Sequence, residues 1–108
     1  MALNRHQITL PALPSETVAV AALGGEVIVR GLRLGDRLGM FADLRTHGKS
    51  YAHIARLLAV SVVGEDGLPL LTEAEWEAFG GVNFEAALDL FGVARKLSGL
   101  DAEVIEKN

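Results

Sequence analysis

Thr17-Val18-Ala19-Val20-Ala21-Ala22-Leu23-Gly24-Gly25-Glu26-Val27-Ile28-Val29-Arg30 sets two β-prone runs on either side of a glycine pair. Valine, isoleucine and threonine are stiff at χ1 and suit a pleated backbone, whereas glycine reaches the positive φ angles of a tight turn at little cost. The stretch predicts a β-hairpin over 17–31 with Gly24 and Gly25 as its two loop residues. That loop pairs Ala22 with Val27 and Val20 with Val29, so Val18, Val20, Ala22, Val27 and Val29 share one face. The opposite face carries Thr17, Ala19, Ala21, Leu23, Glu26, Ile28 and Arg30, and is small and half apolar. A two-stranded ribbon is marginal in water, so this one needs further strands or helices, from its own chain or from another copy.

Beyond the hairpin the apolar period changes to that of a helix. Leu34, Leu38, Phe41, Ala42 and Arg45 predict a helix over 33–46, weakened by Gly35 and Gly39 at about 1 kcal/mol each relative to alanine. Gly48 suits its end, and Ser50 suits the start of a second helix over 51–62. In that second helix Tyr51, Ile54, Ala55, Leu58 and Val62 form one stripe, and Leu57 and Val60 widen it enough to imply burial on more than one side. Val60, Val62 and Val63 are also β-prone. The preferred reading is a helix followed by a short extended excursion, and the other is a strand that turns at Glu65-Asp66-Gly67 and returns through 68–71.

Thr72-Glu73-Ala74-Glu75 has the form of a capping box and predicts a short helix through Phe79, stopped by Gly80-Gly81. Asn83 is placed to cap a last helix, where Phe84, Ala87, Leu88, Phe91 and Ala94 form a stripe running to Ser98, with Gly99 closing it. Residues 1–15 contain Pro11 and Pro14 and sustain no pattern, which marks an arm whose order depends on what it docks against. Residues 100–108 are a charged tail. The 108 residues, half of them hydrophobic, supply one core, so the expectation is a single α+β domain over 1–108. It comprises the arm, the hairpin and a helical body over 33–98, with a small antiparallel sheet packed against a bundle of roughly four helices.

Composition narrows the function. The absence of cysteine removes disulfides, thiolate metal sites and thiol nucleophiles, and fits a reducing compartment, with the cytoplasm as the default. No signal-peptide pattern and no membrane-spanning apolar run is evident. A net charge of -4 and a pI near 5.3 disfavour nucleic acid and anionic lipid as partners. The best basic patch, Arg30, Arg33, Arg37, Arg45 and Lys49, is interrupted by Asp36 and Asp43 and reads as a solvated helix face.

His6, His47 and His53 match no metal-ligand spacing, and Ser15, Ser50, Ser61 and Ser98 lack the context of a nucleophile. Gly24-Gly25 joins two strands and so is a turn, not a phosphate cradle. Glu65-Asp66 and Glu73, Glu75 and Glu77 are explained by turn chemistry and by the charge preference of a helix start. The expectation is a non-enzymatic protein without metal or cofactor. The positive mean hydropathy, in a chain this short, implies apolar surface covered by a partner.

Glu65-Asp66-Gly67-Leu68-Pro69-Leu70-Leu71-Thr72-Glu73-Ala74-Glu75-Trp76 is an acidic turn with glycine, an apolar pair, and then a capped acidic helix start. Following a helix rich in Leu, Ala and Val, it resembles the middle of the tail assembly chaperones of long-tailed bacteriophages. Lys96-Leu97-Ser98-Gly99-Leu100 is similar to that family too, and the likeness extends from Val18 onward. Leu68 and Leu71 stand where the family is expected to carry a basic and an aromatic residue. The resemblance implies a non-catalytic, self-associating protein of the bacterial host cytoplasm. Such a protein binds the long helical tape measure protein, and possibly the tail tube protein, before the tube polymerises. It also implies a frameshifted longer product, for which Glu106-Lys107-Asn108 suits an adenine-rich slippery heptamer.

On this reading the working residues are apolar. Ile28, Phe41, Tyr51, Leu58, Trp76 and Phe91 are the candidates for core or interface, with Trp76 read as a packing anchor ahead of an exposed hot spot. The competing reading is a small dimeric regulatory or antitoxin-like module, whose DNA contact would require a basic recognition helix, for which Arg33 to Lys49 is the sole candidate.

Overall fold

The computed structural model describes residues 2–47 and 52–99. Within them a three-stranded antiparallel sheet packs against four α-helices, the architecture expected from the sequence. The order is β1 (Ser15–Val20), β2 (Gly25–Arg30), α1 (Leu34–His47), α2 (Ala52–Ser61), β3 (Val62–Val63), α3 (Glu73–Val82) and α4 (Phe84–Ser98).

The hairpin forms, but in another register from the one a two-residue loop dictates. Val18 pairs with Val27, and Val20 with Gly25 in place of Val29. Ala21–Leu23 coil into a 3-10 turn that ends at Gly24, whose N–H donates to the Ala21 carbonyl at 3.0 Å. Gly24 alone takes the left-handed conformation, at φ 82°, and Gly25 opens β2. The two alanines lack the β-branch that would hold them extended, so the chain coils there. Each β1 residue thus meets a partner four places earlier than expected, and an even displacement leaves the strand faces unchanged. Val20, Val27 and Val29 are buried and Val18 is half-buried, while Ala22 leaves the face for the exposed turn.

Val62–Val63 supplies the third strand, pairing Val62 with Val29 and Val63 with Ile28. The extended excursion after the second helix is therefore part of the sheet, with β2 central and β1 at an open edge. The following turn is closed by Gly64 N–H donating to the Leu68 carbonyl at 3.0 Å and by Asp66 Oδ1 accepting from Leu68 N–H at 3.0 Å. Arg30 Nη1 donates to the Gly67 carbonyl at 3.3 Å and ties this turn back to β2.

The two-sided burial expected of the second helix is observed. Ala55, Leu57 and Leu58 are buried and Ile54, Ala59 and Val60 are half-buried against the same core. In α1 the core is met by Met40 and partly by Phe41, whereas Leu34 and Leu38 are 75% and 61% exposed. Helical spacing determines which residues share a face, and the tertiary fold determines which face is covered.

Thr72 Oγ1 accepts from Glu75 N–H at 3.2 Å and Glu75 Oε1 accepts from Thr72 N–H at 2.9 Å, so the capping box forms as predicted. The helix does not stop at Gly80-Gly81, because neither glycine adopts a positive φ and α3 runs on to Val82. A Cβ on Gly80 would lie 3.5 Å from that of Ala87, so this glycine sits where α3 and α4 come together. The roughly 1 kcal/mol of helix propensity each glycine forfeits is offset by the packing of α3 as a whole on α2 and α4. Asn83 joins the two helices: its N–H donates to the Phe79 carbonyl at 2.7 Å, but its side chain makes no cap bond. Gly99, at φ 69°, ends α4 and donates to the Arg95 and Lys96 carbonyls.

α4 lies against β1 and β2 and also packs on α2 and α3, which makes it the central helix. Its buried side chains, Ala87, Leu90 and Ala94, join Val27, Val29, Val62, Leu57, Leu58 and Trp76 in one apolar cluster. Full burial of each large aliphatic residue contributes about 1.5–3 kcal/mol. At Gly31, just past β2, a Cβ would come within 2.8 Å of the Leu97 carbonyl oxygen, so the close approach of sheet and α4 there requires glycine.

Candidate functional site

Thr72, singled out by the sequence, starts α3, and Asn83, beyond the expected stop at Gly80-Gly81, separates it from α4; both helices pack against α2. Between the three helices lies an open apolar groove of about 270 Å³, lined by Ile54, Ala55, Leu58, Trp76, Glu77, Gly80, Phe84 and Leu88. Trp76, Gly80, Phe84 and Leu88 are spaced four apart across the helix junction. Gly80 contributes by what it lacks, since a side chain there would enter the space between α3 and α4.

Trp76 is the anchor the sequence suggests, 1% exposed and set edge-on to Phe79 with ring centroids 5.4 Å apart. Its indole N–H is buried without an acceptor among the described residues. A buried, unsatisfied donor is costly. Phe84 is 63% exposed and Leu88 39%, so much of the stripe predicted to bury α4 lines this opening instead. Glu77 is the one charged liner.

Of the six candidate interface residues, the groove brings together Leu58 and Trp76. Phe41 is half-buried on α1 with the Arg37 guanidinium 5.6 Å above its ring. Phe91 is half-buried on α4, with the His53 ring 5.7 Å away and Arg95 5.6 Å from its centroid. Ile28 is half-buried on the sheet face that carries Thr17 and Val63, opposite the helical layer. Tyr51 lies outside the described residues. The sequence reading did not single out Ile54, Gly80, Phe84 and Leu88 as site residues. The available signal was the run of four-residue steps from Trp76 to Leu88, which a presumed stop at Gly80-Gly81 cuts in two.

Polar groups do not converge in the same way. Ser61 and Ser98 are buried at the ends of α2 and α4, each with its hydroxyl unpartnered among the described residues. Among the described residues no group of three or more His, Asp or Glu side chains is placed to hold a metal ion. No helix among the described residues is long and apolar enough to cross a membrane. No family model, no curated protein and no solved structure matches this chain.

Proposed function

We propose that the chain is a non-catalytic holdase whose groove between α2, α3 and α4 takes the apolar stripe of a partner helix. The observation that carries this reading is the groove itself, an opening lined almost wholly by aliphatic and aromatic residues with exposed Phe84 and Leu88 at its edge. Helix-in-groove recognition requires such a trough, since the partner contributes residues three and four apart to fill it. Taken with the resemblance of residues 65–76 and 96–100 to phage tail assembly chaperones, the partner is the tape measure protein. The site of action is the bacterial cytoplasm, before the tail tube polymerises.

Trp76 is the sole tryptophan, so its fluorescence reports occupancy directly. Titration with a peptide bearing a tape-measure-like amphipathic helix is expected to shift its emission to saturation. Phe84→Glu, at an exposed position, should leave the fold intact and weaken binding by roughly tenfold or more, because it sets a charge on the apolar lining. Equal affinity of the two proteins, or no fluorescence response at all, would sink the reading.

A further inference from the structure

We propose that the N-terminal arm, residues 2–14, of one copy docks in the α2–α3–α4 groove of a second copy; this rests on the groove being a docking site. In its own chain every residue of the arm is exposed, including Leu3, Ile8, Leu10 and Leu13, with Leu10 at 85%. Large apolar side chains so concentrated in so short a segment are a surface awaiting cover.

The arm is also pre-shaped. Asn4 and Gln7 form a reciprocal capping box around a 3-10 turn at Arg5–Gln7, a feature the sequence reading did not anticipate. Past that turn Ile8 is extended, and Pro11 and Pro14 hold the residues before them out of the helical region. Alternate residues of an extended segment point the same way, so Ile8 and Leu10 present one apolar edge. A segment already ordered loses less entropy on docking.

Charge selects the groove as its receptor. Residues 2–14 hold Arg5 and His6 and no acid, whereas residues 52–98, which span α2, α3 and α4, hold seven acids against Arg56, Arg95 and Lys96. Among those acids Glu77 lines the groove itself. Opposite fields of this kind steer and orient association. The arm's root is fixed on its own sheet, where the Pro14 carbonyl accepts from Gly31 N–H at 2.8 Å.

The chain has no cysteine, so introduced thiols report cleanly. Full-length Ile8→Cys and Leu88→Cys proteins, both changed at exposed positions, are mixed and oxidised beside a Glu26→Cys control for Leu88→Cys. The Ile8–Leu88 pair is expected to give mixed disulfide dimers in at least tenfold excess over the control pair. Arg5→Glu should depress that yield and Glu77→Arg in the second protein should restore it.

A yield no greater than the control, or a disulfide that forms only within a doubly substituted single chain, overturns the proposal. The same amphipathic helical peptide then separates this inference from the reading beneath it. Peptide binding without Ile8–Leu88 cross-linking removes the arm and leaves the groove, whereas loss of both removes both. Because an arm in the groove competes with the peptide, Leu10→Asp should tighten peptide binding several-fold. An unchanged affinity would count against the arm.

Discussion

α1 and α2 are neighbours in sequence and each carries an apolar stripe at helical spacing, yet one stripe is covered and the other faces water. α2 is enclosed by α1, α3, α4 and β3, so Leu57 and Leu58 are almost fully buried. α1 packs chiefly on α2 and seats Met40, leaving Leu34 and Leu38 exposed. The difference lies less in the pattern than in the number of neighbours the topology supplies. A helix threaded between strand and bundle is wrapped, and one packed chiefly on a single helix leaves Leu34 and Leu38 exposed.

The largest expected effect that would break this contrast is at the covered stripe. Leu57→Ala should lower unfolding free energy by about 2–5 kcal/mol, read from the urea midpoint, because the surrounding elements cannot collapse into the space. A loss below about 1 kcal/mol would mean that α2 is not enclosed in solution. Met40→Ala, at a fully buried apolar position of α1, should cost about 2 kcal/mol, at the lower end for such truncations. A near-neutral result there would show that α1 is not docked at all.

Smaller changes sharpen the comparison. Thr72→Ala removes the cap of α3, which covers α2, and should cost about 1 kcal/mol. The accompanying loss of amide protection should centre on the first turn of α3. Leu38→Gln should change stability by less than about 0.5 kcal/mol, as expected of an exposed site. If it costs as much as Met40→Ala, the open flank of α1 is covered in solution.

Where local chemistry sets the backbone, the sequence was legible. Thr72 with Glu75 names its own hydrogen bonds, and Gly99 after a run ending in Lys96-Leu97-Ser98 names its own left-handed cap. The face of the hairpin was also legible, since strict alternation survives an even change of register. The register itself was not, because Ala21-Ala22 extends or coils at nearly equal cost and the glycine pair allows a loop of either length. Gly80-Gly81 shows the converse. The same dipeptide reads as a stop, yet it continues a helix that packs on both α2 and α4.

The candidate site divides along the same line. Leu58 and Trp76 were recognisable as anchors from their residue type and spacing, but Phe84 and Leu88 appeared to be core. Ile28, Phe41 and Phe91 shared the apolar character of the groove residues and lie elsewhere. Apolar residues carry no label for the partner they will meet.

By itself the sequence determined the α+β class, the caps at Thr72 and Gly99, the strand faces and the residues that share each helical face, because these follow from interactions within a few positions along the chain. Only the tertiary structure decided the hairpin register, the third strand, and which apolar faces stay open, Leu34 with Leu38 and Phe84 with Leu88. Burial depends on segments distant in sequence arriving at the same place, and the spacing of residues along one helix does not encode that arrival.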